Sequence, residues 1–367
     1  MPSEPAIVDE RRRLIGLAYR LLGSVAEAED VVQETYARWY AMSVRQRDAV
    51  RSPGGWLTRV ASRICLDLLG SARVRRESYV GEWVPEPVPG DTEWLHDPAD
   101  RVALDESVTM AFLVVLESMT PAERVAFVLH DVFRYPFAEV AEIVGRTPAA
   151  CRQLAVSARR RVGAAPAPAA PAGRRRLVRE FRRAWEAGDV DALVGLLAPD
   201  ATATGDGGGL VPAELRPVEG AERVARFFTG RARAEGLSIR ECTVNGQAGL
   251  VGEADGGTVS VYAFEVAEER ITRIWAVLNP AKLRRWASPS AEDAELVALR
   301  VGEDRPGDVA LAEVDATAPS VRRRATSVSF SSMGCGRRST WMRFHHARSA
   351  GLRRNSRYGP VSERSTA

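Results

Sequence analysis

A chain of 367 residues exceeds what one ordinary core supports, so two or three domains are expected; 45% hydrophobic and 27% charged residues suffice to build them. Cys65, Cys151, Cys242 and Cys335 stand apart, with no Cys-x-x-Cys or Cys/His neighbour, which argues against a zinc framework or a disulfide scaffold. No charged-then-apolar leader opens the chain, and no apolar run approaches the roughly 18 residues of a membrane helix, so a cytoplasmic protein with no membrane partner, cofactor or metal is expected.

The net charge of +3 conceals a mosaic: residues 1–76 are net +4, 77–120 net −9 and 121–163 net +3. Two basic segments around an acidic one fit two DNA-binding units joined by an acidic linker. In chain order, Leu14, Leu17, Ala18, Leu21 and Leu22 stripe a first helix that stops at Gly23. Ser24 with Glu27 has the pattern of a capping box for a second helix running to residue 42. Its apolar face is Val31, Val32, Thr35 and Trp39. Asp30, Gln33, Glu34 and Arg38 form a polar face able to grip another protein, next to Trp39 at the basic-aromatic end.

After a polar stretch at 43–52, Trp56, Leu57, Val60, Ile64 and Leu68 recur at helical spacing through a third helix ending near Arg73. Pro85, Pro87, Pro89 and Pro98 deny any long helix to 77–104. Helices are expected again at 105–119, 121–133, 136–144 and 148–163. The last two, joined through Gly145, read as a helix-turn-helix. Its final helix would enter a major groove N-terminus first, with Arg146, Arg152, Gln153, Ser157, Arg159 and Arg160 toward DNA. Arginine matches guanine bidentately and glutamine adenine, while further arginines reach phosphates.

The Pro/Ala run 164–173 is a linker. Beyond it, helices at 174–187, 190–197 and 220–234 precede strands at 237–244, 247–251, 258–266 and 270–278, the pattern of a small α+β domain. Residues 174–286 contain no histidine, and the glycine run 206–209 lacks the spacing of a phosphate loop. Residues 287–367 have no period and read as a disordered tail.

The run from Ala28 to Tyr40 resembles the helix by which extracytoplasmic-function sigma factors hold the clamp of bacterial RNA polymerase. Trp56-Leu57 with Arg59, Arg63, Asp67 and Arg73 resembles the −10 reader of that family, with Arg63 where Asn is commonest. Flipped bases need a pocket, which 43–52 could form, and a strand held by arginines; Trp56 itself reads better as core than as a stacking platform. Thr147-Pro148-Ala149-Ala150 with Arg152-Gln153 and Ala158-Arg159-Arg160 looks like the −35 module. Three strings resemble those of the SigJ-type subgroup with a SnoaL-like, nuclear-transport-factor-two-like extension: Trp83-Val84-Pro85-Glu86-Pro87, Asp206-Gly207-Gly208-Gly209 and Asn279-Pro280-Ala281-Lys282-Leu283. Val84, Leu210 and Ala281 depart from that pattern, Leu210 replacing a lysine.

The resemblance implies a multidomain fold: two all-α sigma domains, the second a helix-turn-helix, then an α+β cone and a disordered tail. Region 2 would occupy 1–76, an acidic linker 77–104, region 4 105–163, a linker 164–173, the SnoaL-like domain 174–286 and the tail 287–367. It also implies core RNA polymerase (clamp and flap regions) and promoter DNA as partners. Cis regulation by the extension would act through Trp83, Pro85, Glu86, Pro87, Asp206, Gly207, Gly208, Gly209, Asn279, Pro280 and Lys282, with no separate anti-sigma protein. A small ligand in the cone is left open. Two other readings stand beside this one. A one-component helix-turn-helix regulator with a ligand-binding domain would bind duplex DNA without polymerase. A SnoaL-like isomerase or cyclase fused to a binding module would turn over a substrate, against which the missing histidine counts.

Overall fold

The computed structural model describes residues 4–77, 79–92, 94, 108–163, 170–235, 237–254 and 256–286, with side chains 4–9, 72–77 and 231–235 excepted. The tail 287–367 and the segments 95–107 and 164–169 lie outside them.

Helices α1 (Glu4–Leu22) and α2 (Val25–Ala41) form a hairpin around Gly23. Its φ of +70° suits glycine, and an added Cβ would sit 2.7 Å from the Trp83 ring, so two constraints meet there. Ser24 caps α2 by accepting from the Glu27 amide at 3.4 Å. The stretch expected to be a loop holds a helical turn, α3 (Val44–Asp48), closed by a Ser43/Gln46 capping box. That Ser-x-x-Gln signal was legible in the sequence. Helix α4 (Pro53–Glu77) buries Leu57, Ala61, Cys65 and Leu69 at fourfold spacing against α1 and α2.

The second helical module begins with α5 (Met110–Glu117), capped by Thr109, and α6 (Pro121–Phe127), opened by a Thr120/Glu123 capping box. The α-helix expected through 133 gives way at Val128–Val132 to one π turn, closed by the Phe133 amide on the Val128 carbonyl at 3.0 Å. Helix α7 (Phe137–Val144) ends at left-handed Gly145, and α8 (Pro148–Gly163) follows, completing the helix-turn-helix. The two modules are not separate bodies. Leu17, Leu21 and Leu57 of the first share one buried apolar cluster with Leu113, Leu129 and Val140 of the second.

The C-terminal domain has α9 (Pro171–Ala187), α10 (Val190–Leu196) and α11 (Ala221–Glu235). Its strands are β1 (Leu197–Asp206), β2 (Val218–Glu219), β3 (Ser238–Val244), β4 (Gln247–Ala254), β5 (Gly257–Ala267) and β6 (Arg270–Val277). The sheet order is β2-β1-β6-β5-β4-β3, with only β1–β6 parallel. Strands β1 and β2 were not expected. Segment 197–206 contains Pro199 and Asp200 and slips register before Thr202, and its parallel partner lies far along the chain. Asn245 and Gly246, both with positive φ, join β3 to β4.

Strand β5 distributes its side chains by alternation. Tyr262, Phe264 and Val266 face Phe181, Trp185 and Phe228 of the helices. Val261 and Ala263 join Trp275 and Val277 on the other face, which Val84 and Met110 cover. The domain's second face is thus closed by residues from outside it.

Candidate functional site

On α2, Asp30, Gln33, Glu34 and Arg38 are exposed as a polar face, with Glu34 and Arg38 paired at 2.8 Å. Trp39 departs from the expected set. It is buried in the core, its ring 5.2 Å from that of Trp56, because α4 closes over that side of α2. Trp56 is correspondingly half-buried, as a core residue would be.

Arg59, Arg63 and Asp67 line one exposed face of α4. Arg59 pairs with the Glu142 carboxylate at 2.9 Å, and Arg63 donates to the Glu142 carbonyl at 3.2 Å. Glu142 belongs to α7, so two of the expected −10 residues, Arg59 and Arg63, are engaged by the helix-turn-helix. Tyr135 adds a second link, donating to Thr58 Oγ1 at 3.0 Å and accepting from Arg13 at 3.2 Å. The Arg73 side chain lies outside the described residues.

Arg146, Arg152, Gln153 and Arg160 are exposed on or just before α8. The Arg152 guanidinium sits 5.4 Å from the Phe137 ring centre. Arg159 pairs with Asp131 at 2.7 Å. Ser157 departs from the expectation: its hydroxyl donates to Glu123 at 2.7 Å inside the module. Cys151 is buried, which pushes its thiol pKa up and leaves it a packing residue.

The linker residues 79–92 form a strap between the helical modules and the C-terminal domain. Asp206, 1% exposed, is its anchor. It accepts from the Tyr79 hydroxyl (2.6 Å), the Val84 amide (2.9 Å), the Gly208 amide (3.0 Å) and Lys282 Nζ (2.7 Å). Lys282 also donates to the Val84 carbonyl and lies 4.2 Å from the centre of a Trp83 ring. Asn279 donates to the Tyr79 oxygen at 2.9 Å and caps the short turn 280–282 that begins at Pro280. Gly207 and Gly208 permit this crowding: added Cβ atoms would meet the Val211 carbonyl at 2.0 Å and the Asn279 amide at 2.3 Å. Leu210 is 71% exposed, and Asp206 pairs with Lys282 at 2.7 Å.

Pro85, Glu86 and Pro87 are buried farther along the strap. The Glu86 carboxylate accepts from the Val25 amide at 2.8 Å, occupying the N-terminus of α2. Its amide donates to the Gly23 carbonyl at 2.8 Å, and its own carbonyl accepts from Tyr19 at 2.7 Å. The Pro87 carbonyl accepts from Trp286 Nε1 at 2.9 Å, and Arg285 pairs with Glu29 of α2. Burial raises the Glu86 pKa, against the opposing pull of the Val25 amide, Arg285, Ser24 and Lys282. The strapped state therefore binds the Glu86 proton more tightly than the released state. Its contribution is full below the ordinary carboxylate range and is lost as pH rises through the raised value. Release of the strap, read by hydrogen exchange at Val25, is expected to ease with rising pH in that window. Glu86→Gln should flatten the dependence, because it cannot ionise there.

The cone is filled. Phe181, Trp185, Phe228, Tyr262 and Phe264 pack edge-to-face with centroids 4.9 to 6.1 Å apart. Between Thr204, Phe227 and Tyr262 a cavity of about 10 Å³ remains, at the limit for one water. Among the described residues no cluster of His, Cys, Asp or Glu could hold a metal, and no helix is long and apolar enough to cross a membrane.

Sequence reasoning missed Tyr79, Arg124, Tyr135, Glu142 and Asn245. Asn245 lay in a readable Asn-Gly hairpin signal, yet its side chain reaches Tyr19, Val88 and Val108. Buried Arg124 of α6 donates to the Leu21 carbonyl of α1 at 2.9 Å and to Glu117 at 2.7 Å. Contacts of this length along the chain leave no local signal.

A helix-turn-helix packed on a four-helix module, and both strapped to an α+β cone, define a class of proteins. Family models agree: sigma-70 region 2 matches residues 7–75, sigma-70 region 4 matches 109–162, and the SnoaL-like domain matches 178–277. The ECF RNA polymerase sigma factor SigJ of Mycobacterium tuberculosis is 42% identical over 288 residues, covering 74% of this chain and 90% of SigJ. A probable ECF sigma factor of that organism, SigI, is 35% identical over 287 residues, covering 77% and 95% of the two chains. The crystal structure of M. tuberculosis SigJ aligns with a TM-score of 0.62 at 38% identity, over 76% of this chain and 98% of that one. The chain belongs to the extracytoplasmic-function RNA polymerase sigma factors, and its work is promoter-directed initiation of transcription.

Proposed function

We propose that this sigma factor is held closed by its own C-terminal domain and opens when polymerase and promoter DNA draw its two helical modules apart. The observation that carries the reading is the grip of Glu142 on Arg59 and Arg63. Elements centred at −10 and −35 lie 25 base pairs apart, or about 85 Å at 3.4 Å per pair. Helices in side-chain contact cannot read both at once. Opening must also free the strap, which Asp206 and Lys282 fasten to the C-terminal domain.

In this reading Asp30, Gln33, Glu34 and Arg38 dock on the polymerase clamp and the second module meets the flap. Arg59, Arg63, Asp67 and Arg73 hold the opened −10 strand. Arg146, Arg152, Gln153 and Arg160 serve the −35 groove. The C-terminal domain acts as a built-in regulator in the cytoplasm, with no separate anti-sigma protein and no chemistry of its own. The filled cone and the lack of histidine in 174–286 support that assignment over an isomerase, a cyclase or a small-ligand sensor.

Transcription from a cognate promoter with purified core polymerase tests the proposal. Arg152→Ala should relax preference at one −35 base pair by about tenfold, the scale of a lost bidentate contact, while initiation continues. Failure of the wild-type chain to support any promoter-specific start, even after the strap is released by mutation, rules the reading out.

A further inference from the structure

We propose that Phe137 is a positioning residue for −35 discrimination, its ring fixing the guanidinium of Arg152 and so setting which base pair that arginine accepts. The inference rests on the reading above that Arg152 contacts DNA. Phe137 opens α7, and the exposed Arg152 of α8 lies 5.4 Å from its ring centre. The ring is itself restrained: His130 stacks on it at 3.7 Å and 24°. The π turn Val128–Val132 carries His130, whose Nδ1 donates to the Tyr135 carbonyl at 2.8 Å. Tyr135 in turn is fastened to Thr58 of α4. Tyr135, His130, Phe137 and Arg152 thus form one unbroken chain of contacts.

The chemistry separates this arginine from its neighbour. Arg159 is held by the Asp131 carboxylate, which takes up N–H donors and offsets the charge. An aromatic face restrains a guanidinium without neutralising it or taking up its donors as a carboxylate does, so its N–H groups can still be offered to a base edge. Free arginine side chains carry high rotamer entropy, and restraining one before binding reduces what recognition must overcome. Arg152 is the pre-positioned base reader in this arrangement, and Arg159 is not.

The test uses holoenzyme assembled from the full chain and core polymerase, on promoters with each −35 base pair changed in turn. Phe137→Leu should relax preference about two- to fivefold at the same base pair that Arg152→Ala relaxes, the range of an exposed cation–π contact. Phe137→Tyr should retain it. The double variant should lose no more than Arg152→Ala alone, and the salt dependence of binding should not move with Phe137→Leu. If Arg152→Ala relaxes one position and Phe137→Leu leaves it intact, the positioning role is refuted. Equal weakening on every promoter would refute it too, because that marks a purely structural role. If Arg152→Ala relaxes no position, the DNA-reading assignment fails, and this proposal with it.

Discussion

Asp206→Ala is expected to destabilise the strapped protein by about 3–5 kcal/mol, the cost of leaving one partner of a buried ion pair uncompensated. The change strips Lys282 of its carboxylate and leaves the Val84 amide and the Tyr79 hydroxyl without their acceptor. Asp206→Asn keeps an acceptor but loses the charge, and should fall between alanine and wild type. Denaturant titration gives the magnitude. Limited proteolysis gives the location: cleavage within 79–92 should speed up well before the helical modules unfold. Transcription separates regulation from reading, since a chain released from its strap should initiate more readily on the same promoters. Loss of promoter preference together with the strap would overturn that division.

Arg124→Ala should cost a similar amount, about 3–5 kcal/mol, at the seam between α1, α5 and α6. Arg124 is 2% exposed and spans three elements, α6, α1 and α5, through the Leu21 carbonyl and Glu117. Burial lowers its pKa, so the surroundings resist the charge and the two acceptors hold it in place. Methionine of similar length should recover only the packing part of the loss, because it too takes the Arg124 cation away from Glu117. It would still leave the Leu21 carbonyl unpaired, at about 1–3 kcal/mol. Equilibrium unfolding of the two variants tests this ordering. Equal loss for alanine and methionine would mean that the hydrogen bonds, not the packing, dominate the seam.

Local periodicity made much of this legible. The stripe Val31, Val32, Thr35 and Trp39 marked the buried side of α2, and Gly145 marked the turn of the helix-turn-helix. The three short strings proved to meet: Trp83 and Val84, Asp206, and Asn279 and Lys282 converge on one buried junction. A sequence string names such residues but does not say that they touch. The misses share a cause. Strand β1 exists because β6 offers an edge, not because Ala-Pro-Asp-Ala-Thr favours a strand. Ser157 sits on a polar-looking helix face, yet Glu123 of α6 claims its hydroxyl. Trp39 was placed on the stripe and also counted for docking, and packing against Trp56 decided between the two. Glu142 carries no local signal, because its partners Arg59 and Arg63 belong to α4, far earlier in the chain.

The claim that this is a closed state is tested most directly by energy transfer between fluorophores on α4, at exposed Gly70, and on α7, at exposed Ala138. Free protein should show efficient transfer, and Asp206→Ala should lower it in part. In the complex with core polymerase and promoter, transfer should vanish, as the readers separate toward the roughly 85 Å between the two DNA elements. Transfer that persists undiminished in a transcribing complex would contradict the account.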